Sequence, residues 1–187
     1  MSLLSYSELV SDIVEKNVLA FVDENGVRSR IDEDQVNSSS IDITLGRSIF
    51  VERQVESDVV YRNRTPLPMA KIYIDSGYCL RPGEFILAQS AEQFFLPADI
   101  SAEYKLKSSM ARIGLEHLNA GWCDAGWNGS VLTLEIKNMT RYSSIFLFSG
   151  DSIGQMVFFR HTPVPHDRSY AARGRYNQDT SVSGIKK

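Results

Sequence analysis

Cysteine and histidine are scarce in this chain, with two Cys and three His among 187 residues. Two thiols, Cys79 and Cys123, are too few for a disulfide scaffold or a thiolate zinc cage, so a reducing compartment is expected. His117, His161 and His166 are scattered, and no H-x-E with P-C-x-x-C supplies the shell that zinc deaminases use to activate water. No zinc site is expected, and the three histidines are read as structural or surface groups without a role. Neither sign of charge dominates: 20 Lys+Arg against 23 Asp+Glu give a formal charge of −3, which argues against a nucleic-acid coat or a polybasic membrane binder. No apolar run approaches the ~18 residues that span a bilayer. The start MSLLSYSELVSD has neither a basic opening nor a cleavable apolar segment. A soluble, cytoplasmic protein is the expectation. The phosphate-cradling G-x-x-x-x-G-K-[ST] and the nucleophile elbow G-x-S-x-G are missing too, as are fixed-period repeats and low-complexity linkers.

What is present suits one domain over 1–187, since a hydrophobic share of 43% supplies a single core of ordinary size. Ser5 followed by Glu8 has the form of a capping box, and Leu9, Val10, Ile13 and Val14 recur at helical spacing. These predict a short amphipathic helix over 6–17. Asn25-Gly26 offers a tight turn between Val22 and Val27. From Ser40 onward the texture is that of a sandwich or barrel, with short stretches rich in β-branched and aromatic residues between turn signals. Strands are predicted at Ile41 to Leu45, Phe85 to Ala88, Val131 to Ile136, Ile145 to Phe148 and Met156 to Phe159. Arg81-Pro82-Gly83-Glu84 reads as a turn, and Ser108 to Gly114 as the one further helical candidate. The stretch 166–187 is polar with little to bury, hence a disordered end or a flap that orders on a ligand.

Candidate chemistry concentrates between residues 107 and 135. Lys107-Ser108-Ser109-Met110-Ala111-Arg112 sets two cations around two hydroxyls and can offer guanidinium, hydroxyl and backbone donors to a phosphate chain; a solvated turn is the plainer alternative. Ala120 to Gly129 packs three glycines, two Trp and Asp124 into ten residues. Its tryptophans could stack on a base or close a core. Glu135 interrupts the apolar strand Val131 to Ile136 and shares a face with Thr133, opposite Leu132, Leu134 and Ile136. An exposed strand glutamate is the common case, whereas one enclosed by its surroundings is placed to act as a general base.

Taken in order, SSIDITLG (39–46), LRPGEFILAQSAEQFFLP (80–97), KSSMARIGL (107–115), NAGWCDAGWNGSVLTLEIKN (119–138), SGDSIGQMVF (149–158) and GRYNQDTSVS (174–183) resemble the dCTP deaminase and dUTPase superfamily, most closely its dCTP deaminase branch. The resemblance is collinear over about the last three quarters of the chain. It implies a mostly β fold, a distorted barrel or jelly roll with a short N-terminal helix, in a homotrimer whose active sites are shared between subunits. It implies deamination of dCTP without zinc: Glu135 activates a water, the Ala120 carbonyl and Ser108 hydroxyl hold that water, and Arg112 supports the charged site. Lys107, Ser109 and Arg112 would face the triphosphate, with Met110 and Ala111 in the same binding segment. Asp124 would meet the deoxyribose, and the backbone at Thr133 and Leu134 the base edge. Tyr170, Arg175, Tyr176 and Gln178 would fold over the nucleotide, and Mg2+ would ride on the phosphates. Lys107 stands where the family usually has Arg, and the tail is one residue shorter between Tyr176 and Gln178. The A-G-aromatic-x-D form of Ala120 to Asp124 leans toward members that continue to dUMP, with Gly121 leaving room for a second water. A dUTP pyrophosphatase working through Asp124 and a non-catalytic nucleotide-binding trimer are the alternatives on the same fold.

Overall fold

Alternation of apolar and polar side chains turns most of the chain into antiparallel strands. In the computed structural model, which describes residues 1–22 and 25–186, these are β1 (Ser2–Leu3), β2 (Leu19–Val22), β3 (Arg28–Arg30), β4 (Ile41–Glu52), β5 (Met69–Tyr73), β6 (Tyr78–Leu80), β7 (Phe85–Phe95), β8 (Ile100–Leu106), β9 (Leu115–His117), β10 (Trp122–Cys123), β11 (Asn128–Asn138), β12 (Ile145–Leu147) and β13 (Ser152–Arg160). The main path runs β10-β8-β13-β4-β7-β11-β9, with β1, β2, β3 and β5 attached beside it and β12 paired with β6 separately. The path stays open, with β10 and β9 at its ends, so the jelly-roll half of the expectation describes it better than a closed barrel. Every predicted strand is present, most of them longer than predicted: the Ile41 strand runs on to Glu52 and the Phe85 strand to Phe95.

β4 belongs to both halves of the fold. Its first residues pair with β13, Ile41 opposite Met156 and Thr44 opposite Ser152, and its later ones pair with β7 and β5. The register shifts between Leu45 and Ile49, and Gly46 lies in that corner. A Cβ there would stand 2.8 Å from Gln89 Cγ and 3.0 Å from the Ser90 carbonyl, so the close crossing of β7 requires glycine. Glu92, fully buried, pins the same corner. Its Oε1 accepts from Thr44 Oγ1 at 2.8 Å and Gln35 Nε2 at 3.1 Å, and the Thr44 N–H donates to both carboxylate oxygens at 3.1 Å.

The N-terminal helix begins where predicted, the Glu8 carboxylate accepting from Ser5 N at 2.9 Å and Ser5 Oγ at 2.7 Å. It is α-helical only over Tyr6–Glu8 (α1) and continues to Val14 as a π-helical stretch, with Glu15 N donating to Val10 O and Val18 N to Ile13 O, both at 3.0 Å. Leu9, Ile13 and Val14 are buried as their spacing predicts. The helix stops short of the expected 17, where Asn17 has φ 53. Arg160 of β13 ties it down through Asp12 at 2.6 Å. β2 and β3 form the hairpin expected around Asn25-Gly26, and Gly26 has φ 79; Asp23 and Glu24 lie outside the described residues. Arg81 to Glu84 is the expected turn, closed by Glu84 N to Arg81 O at 3.0 Å with Gly83 at φ 77. Ser108–Arg112 forms a short helix, α2. Among the described residues no helix is long and apolar enough to cross a membrane.

Burial pushes the Glu92 carboxyl above its ordinary range, outweighing the hydrogen bonds from Thr44 and Gln35 that favour the charged form. A carboxyl raised in the folded state contributes stability that is fully present below its unfolded pKa and is lost as pH rises through its folded pKa. The Glu92→Gln variant, compared at one protein concentration, should therefore gain melting temperature relative to the parent as pH is raised from about 4 to about 8. A melting-temperature difference that does not change with pH would contradict a raised Glu92.

Candidate active site

The face of β11 that turns away from the core carries Thr133 and Glu135, while Leu132, Leu134 and Ile136 are buried on the other. Glu135 lies opposite Leu87 of β7 in register, and both line a cavity of about 380 Å3. The Glu135 side chain is 27% exposed, and its Oε2 stands 3.4 Å from Nε2 of His117, which is 4% exposed. Neither atom has a hydrogen-bond partner among the described residues. The His117 ring is held edge-on by Tyr104, with centroids 4.7 Å apart. Buried polar atoms are nearly always paired; here a carboxylate oxygen of a cavity-lining residue and the imidazole nitrogen beside it are buried without a hydrogen bond among the described residues.

The mouth of the cavity is built by the Gly-Trp segment, whose two tryptophans do different things. Trp127 is buried and stacks on Phe94 at 5.0 Å, closing the core. Trp122 is 54% exposed, lines the cavity and donates Nε1 to Asp124 Oδ1 at 2.9 Å. Ala120 is exposed and also lines the cavity. Gly121 opens no space for a second water, contrary to expectation. A Cβ there would stand 2.5 Å from the Tyr104 carbonyl, so glycine is needed for β10 to approach β8.

Of the residues expected at the site, Ala120, Asp124, Thr133, Glu135, Tyr170 and Tyr176 line one cavity. Lys107, Ser108, Ser109, Met110, Ala111 and Arg112 do not line it. Ser108, Ser109, Ala111 and Arg112 are exposed on α2, and Met110 packs against the core. Lys107, expected to face a triphosphate, instead gives its ammonium to Asp42 Oδ2 at 2.5 Å and Ser152 Oγ at 3.1 Å. Burial works to raise the Asp42 carboxyl, but hydrogen bonds from Lys107 and Asn37 and the Lys107 charge hold it below the ordinary range. The Leu134 side chain is fully buried on the core side, leaving its backbone as the only part able to meet a ligand. Arg175 and Gln178 are exposed and lie off the cavity lining.

The sequence assigns His117 no role, and the structure sets it beside Glu135. The available signal was Leu115-Glu116-His117, an alternating triplet that turns the histidine toward the same buried side as Leu115. Leu87 and Asp179 also line the cavity; nothing in their spacing marked them.

The tail is packed rather than loose. Ser169 caps Tyr170–Arg173 (α3), Trp127 Nε1 donates to the Tyr176 carbonyl at 2.7 Å, and Ser130 Oγ to the same oxygen at 2.8 Å. Val131 N donates to Asp179 O at 2.8 Å, Val182 is 3% exposed, and Lys186 pairs with Asp179. The polar composition concealed this because the anchors are backbone groups of the tail, which composition does not register.

The fold is similar to that of a solved 2'-deoxycytidine 5'-triphosphate deaminase from Agrobacterium tumefaciens. The match has a TM-score of 0.65 at 25% identity over 85% of this chain, which spans 48% of that one. A family profile described as dCTP deaminase-like matches residues 13–161, and the chain belongs to that family. Relatives include a protein of Hydrogenobaculum sp. at 32% identity over 81% of this chain and 83% of its own length, and one of Methanoculleus marisnigri at 38% over 79% and 80%. Both are named dCTP deaminase, dUMP-forming.

Truncation after Ala172 removes the acceptor of Trp127 and Ser130 together with the buried Val182. It should lower the melting temperature by at least about 5 °C and red-shift the tryptophan emission. Unchanged melting and emission would show that the tail contributes nothing to this wall.

Proposed function

We propose that the protein deaminates dCTP and carries the product on to dUMP, with Glu135 as the general base. The observation that carries this reading is Glu135 itself, half-buried at the cavity beside His117, with Oε2 unpaired. The carboxylate takes a proton from water as the oxygen adds to C4 of cytosine. It delivers that proton to N3, then takes the proton of the new C4 hydroxyl and hands it to the amino group, which leaves as ammonia as the hydroxyl oxygen becomes the C4 carbonyl. Fixed dipoles stabilise the tetrahedral intermediate; the Ala120 carbonyl and the Ser108 hydroxyl are assigned to hold the water. His117 is a positioning residue that limits where the carboxylate can turn. Thr133 and the Leu134 backbone meet the base edge.

Because α2 does not line the cavity of its own chain, Ser108, Ser109 and Arg112 are best supplied by a neighbouring subunit, with Met110 seating the helix; this supports a homotrimer with shared sites. Tyr170 and Tyr176 close over the nucleotide, with Arg175 and Gln178 on the outer side of the same tail. Formation of dUMP is favoured by the relatives' shared name and by Asp124, exposed at the mouth with one oxygen held by Trp122. There Asp124 would polarise a water against the α-phosphorus, whose bond to the bridging oxygen breaks to release pyrophosphate. Asp124 also suits a hard cation such as Mg2+, which would be carried mainly by phosphate oxygens and would offset their charge. Zinc independence is supported by the donor set: His161 is taken up by Ser101 Oγ at 3.0 Å and the Thr162 carbonyl at 2.9 Å, and Cys123 is buried. A cytoplasmic location accords with two unbridged cysteines.

Incubation with dCTP and magnesium should release ammonia, pyrophosphate and dUMP in equal amounts. Glu135→Gln should lower ammonia release by at least ~100-fold while the protein stays folded and oligomeric. Near-normal release by that variant would refute the assignment, and dUTP accumulating in step with ammonia would refute the second step.

A further inference from the structure

The Glu135 cavity shares a wall with a second cavity of about 380 Å3, and that wall consists of Leu87, Gly184 and Ile185, which line both. The other sides of the second cavity are largely apolar, with Phe50, Met69 and Phe85 from the sheet and Tyr61 and Leu67 from the loop between β4 and β5. Leu87 is fixed by strand pairing, opposite Glu135 on one side and Phe50 on the other. Gly184 and Ile185 lack such support. Space on both sides denies them close packing, and among the described residues their backbone makes no hydrogen bond. Their position is therefore set by the residues that flank them. Before them, Val182 N donates to Gln89 Oε1 at 3.0 Å. After them, Lys186 N reaches Tyr176 Oη at 3.4 Å, its ammonium pairs with Asp179, and its carbonyl accepts from Arg64 Nη1 at 3.0 Å. Tyr176 and Asp179 belong to the tail itself, so Arg64 is the anchor that ties this end to a different part of the chain. Arg64 ends the Tyr61–Asn63 turn with φ 51, in the left-handed region that few residues other than glycine adopt, and its N–H closes that turn on Tyr61 O at 2.9 Å.

We infer that Arg64 is a positioning residue for the Glu135 cavity: by holding the Lys186 carbonyl it keeps Gly184 and Ile185 in place as the wall between that cavity and the apolar one. The effect on turnover rests on the nucleotide reading above; the effect on the wall does not. A guanidinium is always charged, which makes its bond to a carbonyl one of the stronger kind. With that bond removed the two cavities join, water enters beside the base, and a bound nucleotide loses the apolar contact of Ile185. Arg64 does not line the Glu135 cavity, so it meets no reacting atom. Its loss weakens binding that ground state and transition state share, which raises KM and leaves kcat in place.

Hydrogen exchange and steady-state kinetics on the full-length protein test this together. Without nucleotide, the peptide covering 180–187 should exchange faster in Arg64→Gln than in the parent, while β11 exchanges equally in both. The KM for dCTP should rise about 10-fold in Arg64→Gln, with the kcat for ammonia release little changed, and Arg64→Lys, which keeps a charged donor, should recover part of the loss. A chain ending at Ser183 has already lost the wall, so adding Arg64→Gln to it should raise KM no further. Equal exchange of the 180–187 peptide in parent and variant would overturn the role. So would a KM rise of the same size with and without residues 184–187, or a fall in kcat at unchanged KM. If the parent releases no ammonia from dCTP yet its 180–187 peptide is loosened by Arg64→Gln, the positioning of the wall stands and the deaminase reading fails.

Discussion

Side chains along a strand point alternately to two faces, and β11 uses that constraint to couple folding to chemistry. Leu132, Leu134 and Ile136 lock it into the core between β7 and β9, and this same register fixes where Thr133 and Glu135 emerge. A slip of one residue would send the glutamate into the core and the leucines into the cavity. The carboxylate is therefore held by the packing of its neighbours, with no ion pair stronger than the 3.4 Å approach of His117. Positioning by packing leaves Oε2 without a hydrogen bond among the described residues.

The remaining walls are brought to β11 from distant parts of the chain. β7 supplies Leu87 because β4 bends at Gly46 and passes from β13 to β7, and buried Glu92 holds that bend. The Asp124 turn is clamped between the Pro97 loop, where Gly126 N donates to Pro97 O at 3.3 Å, and the Ser169 to Tyr170 turn. The tail then runs along the start of β11, its carbonyls taking the Trp127, Ser130 and Val131 donors. Glu92 and the tail anchors act through hydrogen bonds between residues tens of positions apart, so each is cooperative with the fold as a whole.

Local periodicity carried much of this into the sequence. The Ser5 and Glu8 cap, the Arg81 to Glu84 turn, the faces of β11 and the starts of β4, β7 and β13 follow from nearest neighbours. What pattern could not carry is contact between remote residues. Nothing adjacent to Lys107 indicates that Asp42 will take its ammonium, nothing near His117 that Glu135 lies beside it, and nothing around Gly121 that Tyr104 occupies the space its missing side chain leaves. The docking of the tail is illegible for the same reason, since much of it relies on backbone oxygens that every sequence has.

One division within the site has the widest consequence. The Glu135 cavity and the hydroxyl and guanidinium groups of α2 belong to one chain yet do not meet in it, and in the proposed function a neighbouring subunit's α2 completes the cavity. Co-expression of Glu135→Gln and Arg112→Gln chains measures this most directly, because each variant alone should be nearly inactive. Shared sites predict that a random mixture of the two recovers about a quarter of the parent's ammonia release from dCTP, the share of sites that draw an intact Glu135 and an intact Arg112 from different subunits. Mixed oligomers with no more activity than the separate variants would contradict a site built between chains.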